Sequence, residues 1–168
     1  MISFRFPTLF ALLLAFVALP LAGCDSSDDD DGGGDSIDCP NAASGTFTAQ
    51  AGGTSFDAVC IQANFDSGVF FIAGIVNLGD GGASQRQINI SVPSASVGQR
   101  QLGLISGITV TYADVSPSGQ DVFLAMSGTL NITTLSDSGA SGTFSFEGAN
   151  QTMSSTISVT NGSFDVTF

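Results

Sequence analysis

Histidine, lysine and tryptophan are absent from this chain of 168 residues; tyrosine occurs once, at position 112, and glutamate once, at position 147. Each absence removes a kind of chemistry. Without histidine, a serine or cysteine nucleophile lacks its usual base, and a zinc site has no imidazole to complete it. With Glu147 as the sole glutamate and no aspartate standing out on an apolar strand face, the paired carboxylates of glycoside hydrolysis have no evident candidates. A non-catalytic protein is therefore expected. Sugar recognition leans on flat tryptophan and tyrosine platforms, which leaves carbohydrate binding only as an alternative. Positive charge is nearly missing too: Arg5, Arg86 and Arg100 stand against 15 acidic residues, for a net charge of −12. Nucleic acid, whose binding depends on neutralising phosphates, is excluded as a partner.

Long apolar runs are also scarce. The one present, Leu9 to Leu21, follows Arg5 and is interrupted only by Pro20. It falls short of the roughly 20 residues that span a bilayer, and with small residues at its end it has the layout of a cleaved signal peptide over residues 1–23. The closing box, Leu21-Ala22-Gly23-Cys24, resembles the lipobox of bacterial lipoproteins. That resemblance implies a diacylglycerol on the Cys24 thiol, cleavage before Cys24, and an N-acyl chain on the new amine. Multiple acyl chains anchor a protein stably where one is marginal. The alternative is an ordinary secretory signal with Cys24 as a free thiol or disulfide partner. Residues 24–38, almost entirely Asp, Ser and Gly, cannot bury enough apolar surface to fold and read as a disordered tether with a reach of about 45 Å. Its aspartates have no rigid frame to fix them around a cation. The expected location is a bacterial envelope membrane: the outer membrane or cell surface, with the periplasmic leaflet of the inner membrane as the alternative.

Cysteine arithmetic follows from this. With Cys24 carrying lipid, Cys39 and Cys60 remain in an oxidising compartment and are expected to pair, a bridge that contributes about 3 kcal/mol in the chain-entropy picture. Two buried thiols or a metal pair are the alternatives.

Residues 39–168, about 130 in number, suit one domain with one core. From Gly45 onward the chain alternates short runs of Val, Ile, Phe and Thr with Gly, Asn, Asp and Ser, which predicts an all-β fold: a single antiparallel β-sandwich, or a partly open barrel, of roughly eight to nine strands. No helix is expected. Gly52-Gly53 predicts a hairpin between Thr46–Ala51 and Thr54–Ala63, with Val59, Ile61, Ala63 and Phe65 sharing a face. Val69–Leu78 is apolar on both faces and reads as a strand covered on both sides. Ile88, Ile90 and Val92 share a face, as do Ile108, Val110 and Tyr112. Val97 to Leu104 reads as a short extended piece. The loop aspartates Asp66, Asp80, Asp114, Asp121 and Asp137 are the calcium candidates if sheet ends converge, although turns prefer aspartate anyway.

The last third is the most patterned. Leu130 with Ile132, Phe144 with Phe146, and Phe164 with Val166 form three inward rows. The stretches Ser127-Gly128-Thr129-Leu130-Asn131-Ile132-Thr133, Gly142-Thr143-Phe144-Ser145-Phe146 and Thr160-Asn161-Gly162-Ser163-Phe164-Asp165-Val166 together resemble a family of short, lipid-anchored, β-rich lipoproteins of unknown function from Gram-negative bacteria. The resemblance extends to Phe47–Phe56. It implies a membrane-anchored envelope protein and brings no catalytic residues. A tethered, acidic β domain of this kind suits binding another envelope protein, across a face or by strand addition at an edge.

Overall fold

The computed structural model describes Cys39, residues 42–78 and residues 83–168. The expected signal peptide, Cys24 and the tether lie outside the described residues, as does Asp80.

Ten strands form: β1 (Ser44–Ala51), β2 (Thr54–Asp57), β3 (Cys60–Asp66), β4 (Val69–Asn77), β5 (Gln85–Val92), β6 (Gly98–Leu102), β7 (Thr109–Ser116), β8 (Gly119–Ser136), β9 (Gly139–Asn150) and β10 (Thr156–Thr167). No helix occurs among the described residues. The tightest hairpins sit where the chain tolerates positive φ: Gly52 and Gly53, at 57° and 81°, join β1 to β2. This is the primed turn that matches strand twist, and glycine adopts it without a Cβ penalty.

The strands make one antiparallel sheet in the order β2-β1-β10-β9-β8-β7-β5-β4-β3, with β6 added beside β8. Of the two closures the sequence leaves open, the structure has the curled sheet, a half-barrel, and not two stacked sheets. The curl has local causes. β8 carries extra residues at Met126 and Thr133 relative to β9, and β10 slips register between Val159 and Gly162. Such bulges bend a strand and increase its twist. Because β8 runs for 18 residues, its first part pairs with β7 and its later part, from Gly128 to Ile132, with β6.

Curling brings the two ends of the sheet together. The Ala43 amide, leading into β1, donates to the Ile61 carbonyl of β3 at 2.8 Å. The Ala58-Val59 link spans the same seam, with the Ala58 amide donating to the Phe47 carbonyl of β1 at 3.0 Å and the Val59 amide to the Ile75 carbonyl of β4 at 2.9 Å. Inside, Phe47 is fully buried, with its ring 6.0 Å from Phe56 and 5.3 Å from Phe144. Phe47 lies over Gly74 so closely that a Cβ there would fall 2.6 Å from the ring. The inward rows expected from the sequence are in place: Ile88, Ile90, Val92, Leu130, Ile132, Phe144, Phe146, Phe164 and Val166 are all buried.

Two expectations need correction. The run Thr54–Ala63 is not one strand: it breaks at Ala58-Val59, where the chain crosses from one sheet edge to the other. That crossing makes ten strands instead of eight or nine, and it leaves Val59 68% exposed and off the face it was expected to share with Ile61. Second, β4 is not covered on both sides. With a single sheet, only its inner face meets the core, and Phe71 and Ile75 on the outer face stay half-buried.

Candidate functional site: an uncharged outer face ending in an apolar groove

Register assigns the outward side chains. Cys60 pairs with Ile75, Ile75 with Gln87, Gln87 with Ala113 and Ala113 with Val122. Residues in one cross-strand row point to the same side of a sheet, and the alternate residues Ile61, Ile72, Ile88 and Tyr112 belong to the core. The row from Cys60 to Val122 therefore lies on the outer face. A second outer row runs Gln62, Ala73, Asn89, Thr111, Leu124 and Ala149. No outward position of β4, β5 or β7 holds a charged residue. Polar groups on this face satisfy one another: the Gln87 amide donates to the Asn89 carbonyl oxygen at 2.9 Å, and Asn89 donates to the Thr111 hydroxyl at 3.3 Å. These three strands present an uncharged outer patch, bordered by Asp66 at the end of β3 and Glu147 on β9.

At β7–β9 the face deepens into a groove of about 330 Å³. Val122, Leu124, Met126 and Ala149 form its floor, and Leu104 and Met153 stand at its walls. Two loops build those walls. Between β6 and β7, Ser106 folds the chain back: its hydroxyl donates to the Gly103 carbonyl at 2.8 Å and accepts the Ile108 amide at 3.2 Å. Leu104 and Ile105 are thereby pushed out, at 60% and 102% exposure. Between β9 and β10, the Asn150 side-chain oxygen accepts the amides of Ser154 and Ser155 and the Thr152 hydroxyl. That organised turn holds Met153 at φ 56°, an uncommon setting for a non-glycine residue, with its side chain 67% exposed. A second, polar pocket of about 240 Å³ adjoins the groove, lined by Gln120, Asp121, Asn150, Gln151 and Thr152. The groove itself is lined by no titratable side chain. It can cover apolar surface; it has no group of its own to move a proton.

The inner side has its own polar cluster, at the end of the half-barrel beside β2. Arg86 and Asp114 are cross-strand partners, and one Arg86 amino group donates to the Ser55 carbonyl at 3.1 Å. Its Nε is buried without a partner among the described residues. Tyr112 is buried beside them. Burial first, and the negative charge of Asp114 second, raise its phenol above the ordinary 10.0, while Arg86 acts in the opposite sense. Folded chains thus hold this proton at pH values where unfolded chains release it. The resulting stability is present below about pH 10 and is lost as pH rises through the folded value. We expect the near-ultraviolet tyrosinate absorbance, which here reports Tyr112 alone, to appear above pH 10 and to move back toward 10 in Asp114→Asn. A midpoint at or below 10 would contradict the burial argument.

The calcium candidates among the described residues do not gather. Asp66 lies at the β3–β4 turn and Asp137 in the β8–β9 turn, whereas Asp114 and Asp121 face each other across β7 and β8 near the opposite ends of those strands. Among the described residues no three acidic or cysteine side chains are close enough to hold a metal ion. Cys39 and Cys60 are bridged, with Cα atoms 5.7 Å apart, so the expected disulfide is present. Sequence reasoning missed the groove. Its signals were the apolar pair Leu104-Ile105 between glycines, and the strand Val122-Phe123-Leu124-Ala125-Met126, apolar on both parities.

Fold and site together define an all-β domain built on one curled antiparallel sheet whose distinctive surface is an open face and not an enclosed cavity. Residues 43–166 match the family described as Domain of unknown function (DUF6252), and the chain belongs to that family. No curated protein and no solved structure matches it.

Proposed function

We propose that this protein is a lipoprotein of the bacterial cell envelope, anchored through acyl chains on Cys24, that acts without catalysis as a binding module. The observation that carries this reading is the Cys39–Cys60 bridge. A disulfide speaks for an oxidising, exported setting, and pairing these two leaves Cys24 as the odd cysteine. The Leu21-Ala22-Gly23-Cys24 box accounts for that odd thiol. The acidic tether between Cys24 and Cys39 then spaces the domain from the membrane. Its working surface is the outer face with its groove, whose floor and wall side chains form an apolar patch of the kind that marks interaction sites. The outer membrane or cell surface is the proposed location, with an envelope protein or the membrane itself within reach of the groove.

Feeding a clickable fatty acid to expressing bacteria tests the anchor. The wild-type chain is expected to take up label and to fractionate with membranes, and Cys24→Ser to do neither. An unlabelled wild-type chain, or equal labelling of Cys24→Ser, would remove the anchor from this reading.

A further inference from the structure

We infer that the outer face around the groove lies against the lipid surface, with Leu104, Ile105 and Met153 entering the interfacial region of the bilayer; this rests on the anchoring proposed for Cys24. Three observations converge on it. First, the two loops that wall the groove, residues 103–108 and 151–155, carry no charged side chain, yet they project Ile105 at 102%, Met153 at 67% and Leu104 at 60% exposure. Apolar side chains held out in water gain by burial, and an interface of headgroups and acyl chains accepts them without a shaped partner.

Second, the tether ends on this same face. It arrives at Cys39, which is bridged to Cys60, and Cys60 begins the outer row that ends at Val122 in the groove floor. Four strand spacings separate them, about 19 Å along the sheet at roughly 4.8 Å each. The tether reaches about 45 Å when extended, more than enough to let the groove meet the membrane that holds Cys24. Confinement on such a tether raises the local concentration of that membrane over any free partner.

Third, electrostatics select the side. The domain from Cys39 onward carries eight acidic residues against Arg86 and Arg100 and is repelled by anionic headgroups. The outward positions of β4, β5 and β7 are uncharged, and Glu147, outward on β9, is the acid beside the groove floor. This side approaches at least cost.

The experiment uses the whole mature chain, residues 24–168. With Cys39 and Cys60 bridged, Cys24 is its only thiol and can be coupled to a maleimide-bearing lipid in phosphatidylcholine vesicles. The chain has no tryptophan, so Ile105→Trp places a single reporter at the loop tip, and Thr46→Trp places one at an exposed position of β1 as a control. Emission from position 105 should shift to the blue on coupling and be quenched by bromine-labelled acyl chains at least about threefold more than emission from position 46. Water-like emission at 105, or equal quenching at both positions, would overturn the inference. So would a blue shift at 105 that appears on concentrating the uncoupled chain without vesicles, because a second copy would then cover the tips. Chemical coupling replaces acylation, so this outcome is independent of whether cells label Cys24.

Discussion

Phe47→Ala is expected to cost about 3–5 kcal/mol, the range for emptying a fully buried phenylalanine site, and to read as a lower urea midpoint with an unchanged slope. The value should fall in the upper part of that range because Phe47 joins regions far apart along the sheet. Its ring meets Phe56 on β2 and Phe144 on β9, and it covers Gly74 of β4. Gly74 supplies a sharper test. Gly74→Ala alone pushes a methyl to within 2.6 Å of a ring carbon and should cost about 1–3 kcal/mol as overpacking. In the Phe47→Ala background the same methyl enters vacated space, so its cost should vanish or reverse. Contacting residues couple in this way. Additive effects in the double variant would mean that the ring moves freely off β4, and that the Ala43 hydrogen bond, the Ala58-Val59 link and the Cys39–Cys60 bridge hold the edges together without it.

This pair also shows where the sequence was legible. Ile88, Ile90 and Val92, or Leu130 and Ile132, announce their facing because their neighbours on the strand are polar, and a period of two then has one reading. All five are fully buried. Closure was a different matter. It depends on the extra residues Met126 and Thr133 in β8 and the slip beside Asn161 in β10, and serine, threonine and asparagine look alike in a straight strand and a bulged one. Gly74 gave no sign that it received a phenylalanine from 27 positions away in the chain. The break at Ala58-Val59 was hidden for the same reason, since both residues suit a strand and only the crossing between edges stops them.

The groove was illegible on physical grounds as well. Across Val122-Phe123-Leu124-Ala125-Met126 both parities are apolar, so alternation cannot say which side is core. Tertiary contact decides: Phe123 pairs with Tyr112, their rings 6.1 Å apart on the inner side, and Val122 and Leu124 are left outside. Leu104 read as the end of an extended piece because nothing local marks Ser106 as the residue that folds Leu104 and Ile105 outward. The polar candidates pose the opposite difficulty. Asp66, Asp114, Asp121 and Asp137 were visible as residues, but only pairing reveals that strand ends carry them to different places.

Removing the bridge with Cys39→Ala and Cys60→Ala should cost about 3 kcal/mol for a separation of 21 residues. The loss should have a local part as well, since the bridge holds the segment leading into β1 against β3, where Ala43 donates to Ile61. Reductant added to the wild-type chain should reproduce the destabilisation and should do nothing further to the double variant; a reductant effect that persists in the double variant would place it elsewhere. The bridge also decides where a pull from the membrane enters the fold. With Cys39 joined to Cys60, the force enters β3 on the outer face, in the row that ends at the groove floor. Without it, the pull enters β1 through Ala43, held beside β3 only by its hydrogen bond to Ile61, and the constraint that favours Ile105 over Thr46 is loosened. Coupled through Cys24 to vesicles, the bridge-free chain should therefore show reduced contrast between tryptophans at 105 and 46 while still being folded. Undiminished contrast would mean that the apolar tips orient the domain unaided, and that the bridge serves stability alone.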